Sequence, residues 1–221
     1  MNSTVILKGN ILYTPRPSEF ISIQHGYIIA VDGVVVYCGE SIPPAYADCE
    51  VTDYGDNLII PGFVDTHAHA PQYCNRGLGM DKELLPWLET YTFPEEAKFS
   101  DLDYARLVYG AFVQDLWRNG TTRSILFGTI HKESTLVLME LLQKAGLSAY
   151  VGKVNMDRNS PDFLIEETSQ SLADTKDWLE ASVSFGPLVK PIITPRFVPS
   201  CTSELMDGLG TLSEEYKVPV Q

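Results

Sequence analysis

Along the first 57 residues apolar and polar positions alternate. The segments VILKG, ILYTP, FISIQ, YIIAVDG and VVVYCG are short β-branched and aromatic runs set apart by Gly, Pro and Asp-Gly. This period-two texture predicts a small antiparallel β domain over residues 1–57. At LIIPGFVDTHAHA, residues 58–70, it gives way to one near-continuous apolar run, the pattern of a strand buried on both faces of a parallel sheet.

Helical and strand-like spacings then take turns. Ser100 opens a Ser-x-x-Asp capping box, after which Leu102, Ala105, Phe112 and Leu116 recur at helical spacing until Asn119-Gly120. The strand TTRSILF follows. Helix STLVLMELLQKAG leads to strand SAYVGKV, a helical stretch around residues 163–182 leads to strand VKPIITP, and helix SELMDGLGTLSEEY leads to VPVQ. These are four βα units and the opening of a fifth. Right-handed crossovers build either a doubly wound sheet or a (β/α)₈ barrel. No G-x-G-x-x-G follows any strand, and VPVQ stops inside an apparent strand, so the expected fold class is α/β: about the first half of a (β/α)₈ TIM barrel over residues 58–221, preceded by the small antiparallel β domain.

Composition narrows the partners. Of 221 residues, 44% are hydrophobic and 20% charged, an ordinary globular balance. Lys and Arg number 16 against 29 Asp and Glu, a net charge of −13, which repels phosphate backbones and anionic lipid; neither nucleic acid nor membrane is an expected partner. Cys38, Cys49, Cys74 and Cys201 form no C-x-x-C pair and read as reduced thiols of a cytoplasmic protein. The N-terminus lacks the pattern of a secretory signal, so the N-x-T sequons at Asn2 and Asn119 carry no weight.

Candidate chemistry centres on DTHAHA. Alternate strand residues face one side, so His67 and His69 converge on a single point, with Asp65 on the same face, at the strand end where barrels place their sites. The alternative is two hydrogen-bonded histidines at a strand end. A catalytic zinc takes at least three protein ligands, so the pair needs help from elsewhere. His131, at the end of the next strand, is placed to reach the same mouth, whereas His25, in a Gln-His-Gly turn, reads as a surface residue. In TPRF, Arg196 brings a rigid fork suited to paired acceptors such as a guanine's O6 and N7, and Phe197 a stacking face; the alternative is a salt-bridged Arg and a core Phe. Gln72 both donates and accepts, as a purine's mixed edge requires. Residues 71–99, rich in Pro, Gly and aromatics, read as a lid.

The segments PGFVDTHAHAPQY, LLPWLETYTFPEE, NGTT, GTIH, GKVNMD and VKPIITPRFVPSC stand in the order found in guanine deaminases of the amidohydrolase superfamily, and the chain resembles that family over nearly its whole length. The HxH pair is generic to the superfamily, whereas Gln72, YTFP and TPRF point to guanine. The resemblance implies a (β/α)₈ barrel with a composite β domain, one Zn²⁺ and hydrolysis of guanine to xanthine and ammonia. By the same resemblance His67 and His69 hold the metal, His69 and Gln72 border the substrate, and Arg196 with Phe197 hold the purine. The family's Ser-His-x-x-Glu motif, with a further ligand and the proton-shuttling glutamate, would begin just after Gln221. No catalytic acid–base residue is therefore expected within the chain, which reads as an incomplete fragment of an enzyme that is a homodimer when whole. Two other readings compete: an amidohydrolase acting on pterin, triazine or cytosine-like rings, and a non-catalytic purine-binding remnant.

Overall fold

The computed structural model describes residues 3–221, so the Asn2 sequon lies outside the described residues. The chain forms two compact units, Met1–Gly62 and Phe63–Gln221.

The first unit is a four-stranded sheet of β1 (Thr4–Arg16), β2 (Glu19–Val31), β3 (Val34–Gly39) and β4 (Val51–Ile59), in the order β3-β2-β1-β4. The first four apolar runs merge pairwise into two 13-residue strands, joined as an antiparallel hairpin from Thr4↔Val31 to Arg16↔Glu19. A bulge interrupts their register between Gly9 and Ile11. His25 lies inside β2 at this irregularity with φ +50°, exposed, its backbone N–H donating to Asn10 Oδ1; it is a bulge residue and not part of a turn. The expected all-antiparallel domain is corrected in one respect, because β4 runs parallel to β1, from Ile6↔Val51 to Ile11↔Ile59. Residues 40–50 carry the chain back to the end where β1 begins, and a strand entering there can only run beside β1 in the same direction. Ile6, Ile11 and Ile29 make the buried face.

The apolar run 58–70 is not one strand. β4 ends at Ile59 and β5 (Phe63–His69) begins after Pro61-Gly62, since proline has no N–H for a ladder. Nor is β5 buried on both faces. It forms one edge of its sheet, with Phe63 58% and Val64 61% exposed.

In the second unit, β5, β6 (Thr121–Phe127), β7 (Ser148–Gly152) and β9 (Val189–Pro191) form a parallel sheet in the order β5-β6-β7-β9. The short strands β8 (Val154–Asn155) and β10 (Thr194–Pro195) pair in parallel beyond it. The expected strands SAYVGKV and VKPIITP are thus each interrupted, at Lys153 and at Ile192-Ile193. Between β5 and β6 lie α1 (Leu84–Trp87), a π-helical turn over Leu88–Thr92, α2 (Phe93–Ala97) and α3 (Leu102–Arg118). Helices α4 (Lys132–Ala145), α5 (Thr168–Ser182) and α6 (Ser203–Tyr216) alternate with the remaining strands. The cap of α3 is Asp101, one residue past the predicted Ser100; its carboxylate accepts from Asp103 N–H at 2.8 Å and Tyr104 N–H at 3.3 Å, and a carboxylate also complements the positive helix start. Leu126, Leu138, Leu142, Val151, Trp178 and Leu205 pack between sheet and helices without exposed surface.

The segment read as a lid is mostly helical from Leu84 to Ala97, and Thr92, Phe93, Glu95, Glu96 and Phe99 are buried. Residues 92–99 are thus largely packed into the unit, whereas Leu78, Met80, Leu84 and Leu85 earlier in the segment are exposed. Gly152, at the end of β7, permits a close strand approach: a Cβ there would overlap Thr194 Oγ1 and come within 2.6 Å of the Ile192 carbonyl oxygen. No described helix is long and apolar enough to cross a membrane.

Candidate active site

His67 and His69 turn toward one another at the end of β5, but the register of β5 against β6 shifts between Asp65, opposite Ser124, and Ala68, opposite Leu126, so the alternation expected to carry Asp65 onto the histidines' face is broken. Asp65 Oδ1 accepts the His67 backbone N–H at 3.1 Å. The two imidazole centroids lie 5.2 Å apart, crossed at 72°. Phe127, at the end of β6, supports both, stacking on His69 at 4.3 Å and meeting His67 edge-on at 5.1 Å. His69 Nδ1 is buried without a hydrogen-bond partner. Burial, reinforced by the positive charge of Arg196 and by His67, pushes the His69 pKa down to about 3. Its imidazole is therefore neutral, the form that ligates a metal.

A cavity of about 420 Å³ opens on both imidazoles and on Gln72, Arg196 and Phe197, and Trp87 and Leu88 from the helical segment also line it. The five residues singled out from the sequence are thus gathered in one space. His131 is not among the lining residues; it stands at the start of α4 with Nε2 buried and unpartnered, and burial together with Lys153 pushes its pKa down. A second cavity of about 430 Å³ shares His69, Gln72 and Trp87 but faces α3, lined by Tyr73, Arg76 and Asp115. The first holds both histidines and the arginine, so it is the candidate site.

One residue of this site escaped the sequence reading. Glu96, 1% exposed, receives the Arg196 fork: Nη2 donates to Oε1 at 3.0 Å and Nη1 donates to Oε2. Gln72 Nε2 donates to the same Oε1 at 3.2 Å. The Arg196 guanidinium also lies 5.2 Å from the Phe93 ring centroid. The paired acceptor that a rigid fork demands is therefore already supplied within the chain, and only the remaining Arg196 donors are free for a ligand. The available signal was the adjacent Glu95-Glu96 in TFPEEAKF, two carboxylates with a single lysine, Lys98, in the same stretch to pair with them.

The donor set suits a divalent metal in part. Two imidazoles on one face, one of them neutral with an unpartnered buried nitrogen, are what such an ion takes from a strand end, but a catalytic zinc uses at least three protein ligands. Among the described residues no group of three or more His, Cys, Asp or Glu is arranged to complete the sphere.

Residues 58–221 match the Amidohydrolase family. The chain belongs to that family. A guanine deaminase of Dictyostelium discoideum is 52% identical over 172 residues, covering 77% of this chain and 38% of that protein. That of Escherichia coli strain K12 is 39% identical over 211 residues, 91% of this chain and 47% of that protein. Among solved structures, guanine deaminase from C. acetobutylicum with bound guanine in the active site has a TM-score of 0.95 and 52% identity, covering 99% of this chain and 52% of that one. The amidohydrolase chain described here thus spans about half the length of these relatives.

Proposed function

We propose that this amidohydrolase chain supplies the purine-holding part of a zinc-dependent guanine deaminase, an enzyme that adds water to guanine and releases xanthine and ammonia. The observation that carries the reading is the single cavity shared by His67, His69, Gln72, Arg196 and Phe197. Likeness to guanine deaminases supports it, as does the volume, which falls in the range of small-molecule sites. In this reading residues 58–221 form the first half of a (β/α)₈ barrel and residues 1–57 contribute to a composite β domain, with the enzyme in the cytoplasm.

Arg196 and Gln72 grip the polar edge of the purine, and Phe197 offers its ring face. His67 and His69 hold the metal, with His69 also bordering the substrate. A bound zinc would supply a water acidified towards about pH 7, hence a nucleophile at neutral pH. The helical segment limits water around the ring through Trp87 and Leu88. A complete centre then draws its remaining ligands and its proton-transferring carboxylate from outside these 221 residues.

The test is saturation-transfer NMR of the chain with guanine, cytosine and an aminotriazine. Guanine should bind best, and Arg196→Ala should weaken it by about ten- to a hundredfold, the loss of one charge-assisted contact. Preference for cytosine or the triazine, or guanine binding unchanged in Arg196→Ala, would overturn the reading.

A further inference from the structure

We infer that Glu96 is a positioning residue that sets the hydrogen-bond polarity of the cavity, so that it selects purines with a C6 carbonyl beside N1–H over 6-aminopurines. The inference deepens the purine reading above and rests on it. Apart from the histidine pair, the polar side chains lining the cavity are Arg196 and Gln72; both are held by this one carboxylate, and they share its Oε1. A carboxylate only accepts, a guanidinium only donates, and a primary amide does both. Gln72 therefore has one orientation: Nε2 spends one N–H on Glu96, and Oε1, the amide's sole acceptor, is turned away from that carboxylate to meet a ligand. Arg196 commits one N–H from each Nη to Glu96 and keeps its other donors.

The cavity thus sets donors of Arg196 beside an acceptor of Gln72. The complementary edge is a carbonyl oxygen next to a ring N–H. A 6-aminopurine carries the reverse order, a donor outside the ring and an acceptor within it. It satisfies the same pair only by exchanging the places of its exocyclic and ring atoms, which displaces the rest of the ring. Removing the Glu96 charge frees the Gln72 amide to turn over and the Arg196 fork to rotate, and the discrimination goes with them.

The test uses the 221-residue chain and two readouts. Without ligand, ¹⁵N NMR of the Arg196 guanidinium should show slow rotation with separate Nη signals, and Glu96→Gln should collapse them, with Glu96→Asp partly restoring them. With ligand, saturation transfer should favour hypoxanthine over adenine by about tenfold, and Glu96→Gln should bring the ratio within about twofold. Gln72→Met removes the acceptor while leaving the Glu96–Arg196 pair, so it should lose the preference but keep the separate Nη signals, and it serves if Glu96→Gln does not fold. Binding of neither purine by the unsubstituted chain would overturn the purine reading and the selectivity resting on it, with the guanidinium signals still reporting whether Glu96 restrains Arg196. Purine binding that keeps its hypoxanthine preference in Glu96→Gln or in Gln72→Met would overturn the Glu96 assignment alone.

Discussion

Lys153 has no exposed surface, and its ammonium donates to Glu166 Oε1 at 2.6 Å. The same ammonium donates to the Val154 carbonyl at 3.1 Å, and Glu166 Oε2 accepts the Met156 N–H at 3.0 Å. Burial pushes the Lys153 pKa down while the Glu166 charge opposes it. The pair ties the residues ahead of α5 to the break between β7 and β8. Glu166→Gln leaves a buried cation without its counter-charge and should cost about 3–5 kcal/mol, read as a lower urea midpoint. Lys153→Met with Glu166→Leu removes both charges and should cost much less. Equal losses in the two proteins would show that the effect is one of shape.

Asp157 joins the starts of two helices. Its Oδ1 accepts the Thr202 N–H at 2.7 Å, and Oδ2 accepts the hydroxyls of Thr168, at 2.8 Å, and Thr202. Burial alone would raise its pKa, but these hydrogen bonds outweigh it and hold the carboxyl below its usual range. The native pKa thus lies below the unfolded value of about 3.9. The stabilisation is complete above that value and disappears as pH falls through the lower native pKa. Asp157→Asn should cost about 1–2 kcal/mol at pH 7 and little once pH drops below both values, as measured by urea melts across pH 2–7. A pH-independent difference would contradict the assignment.

Purified residues 1–221, stripped of metal and offered zinc, should retain well under one equivalent and should not consume guanine, because two imidazoles fall short of the three ligands a catalytic zinc needs. His69→Ala should reduce what is retained, whereas Arg196→Ala should not, since a guanidinium is no ligand. Elemental analysis and absorbance of guanine check both. Stoichiometric zinc with turnover would place a complete centre within this chain.

The β5 edge, with Phe63 and Val64 exposed, offers unpaired backbone groups beside apolar side chains. Light scattering should show the chain self-associating as concentration rises. Val64→Lys should shift that association to higher concentration by about tenfold, through the charge it sets on the edge. Monomeric behaviour of the unsubstituted chain at high concentration would refute this.

Local pattern by itself determined much of this protein. Helix α6 follows the apolar spacing of SELMDGLGTLSEEY from its first residue to its last, and α4 closes at Gly146, which adopts φ +70°. His67 and His69 share a face because strand alternation is a property of the backbone, independent of anything further along the chain. The tertiary structure decided what depends on the path between distant segments. It set β4 parallel to β1, made β5 an edge strand, and kept His131 off the wall of the cavity. Above all it brought Glu96 to Arg196 across 100 positions of sequence. Periodicity tells which side chains point inward, but a buried carboxylate selects its cation by proximity in a folded core. The return of α2 against the end of β10 sets that proximity, and no spacing within either segment encodes it.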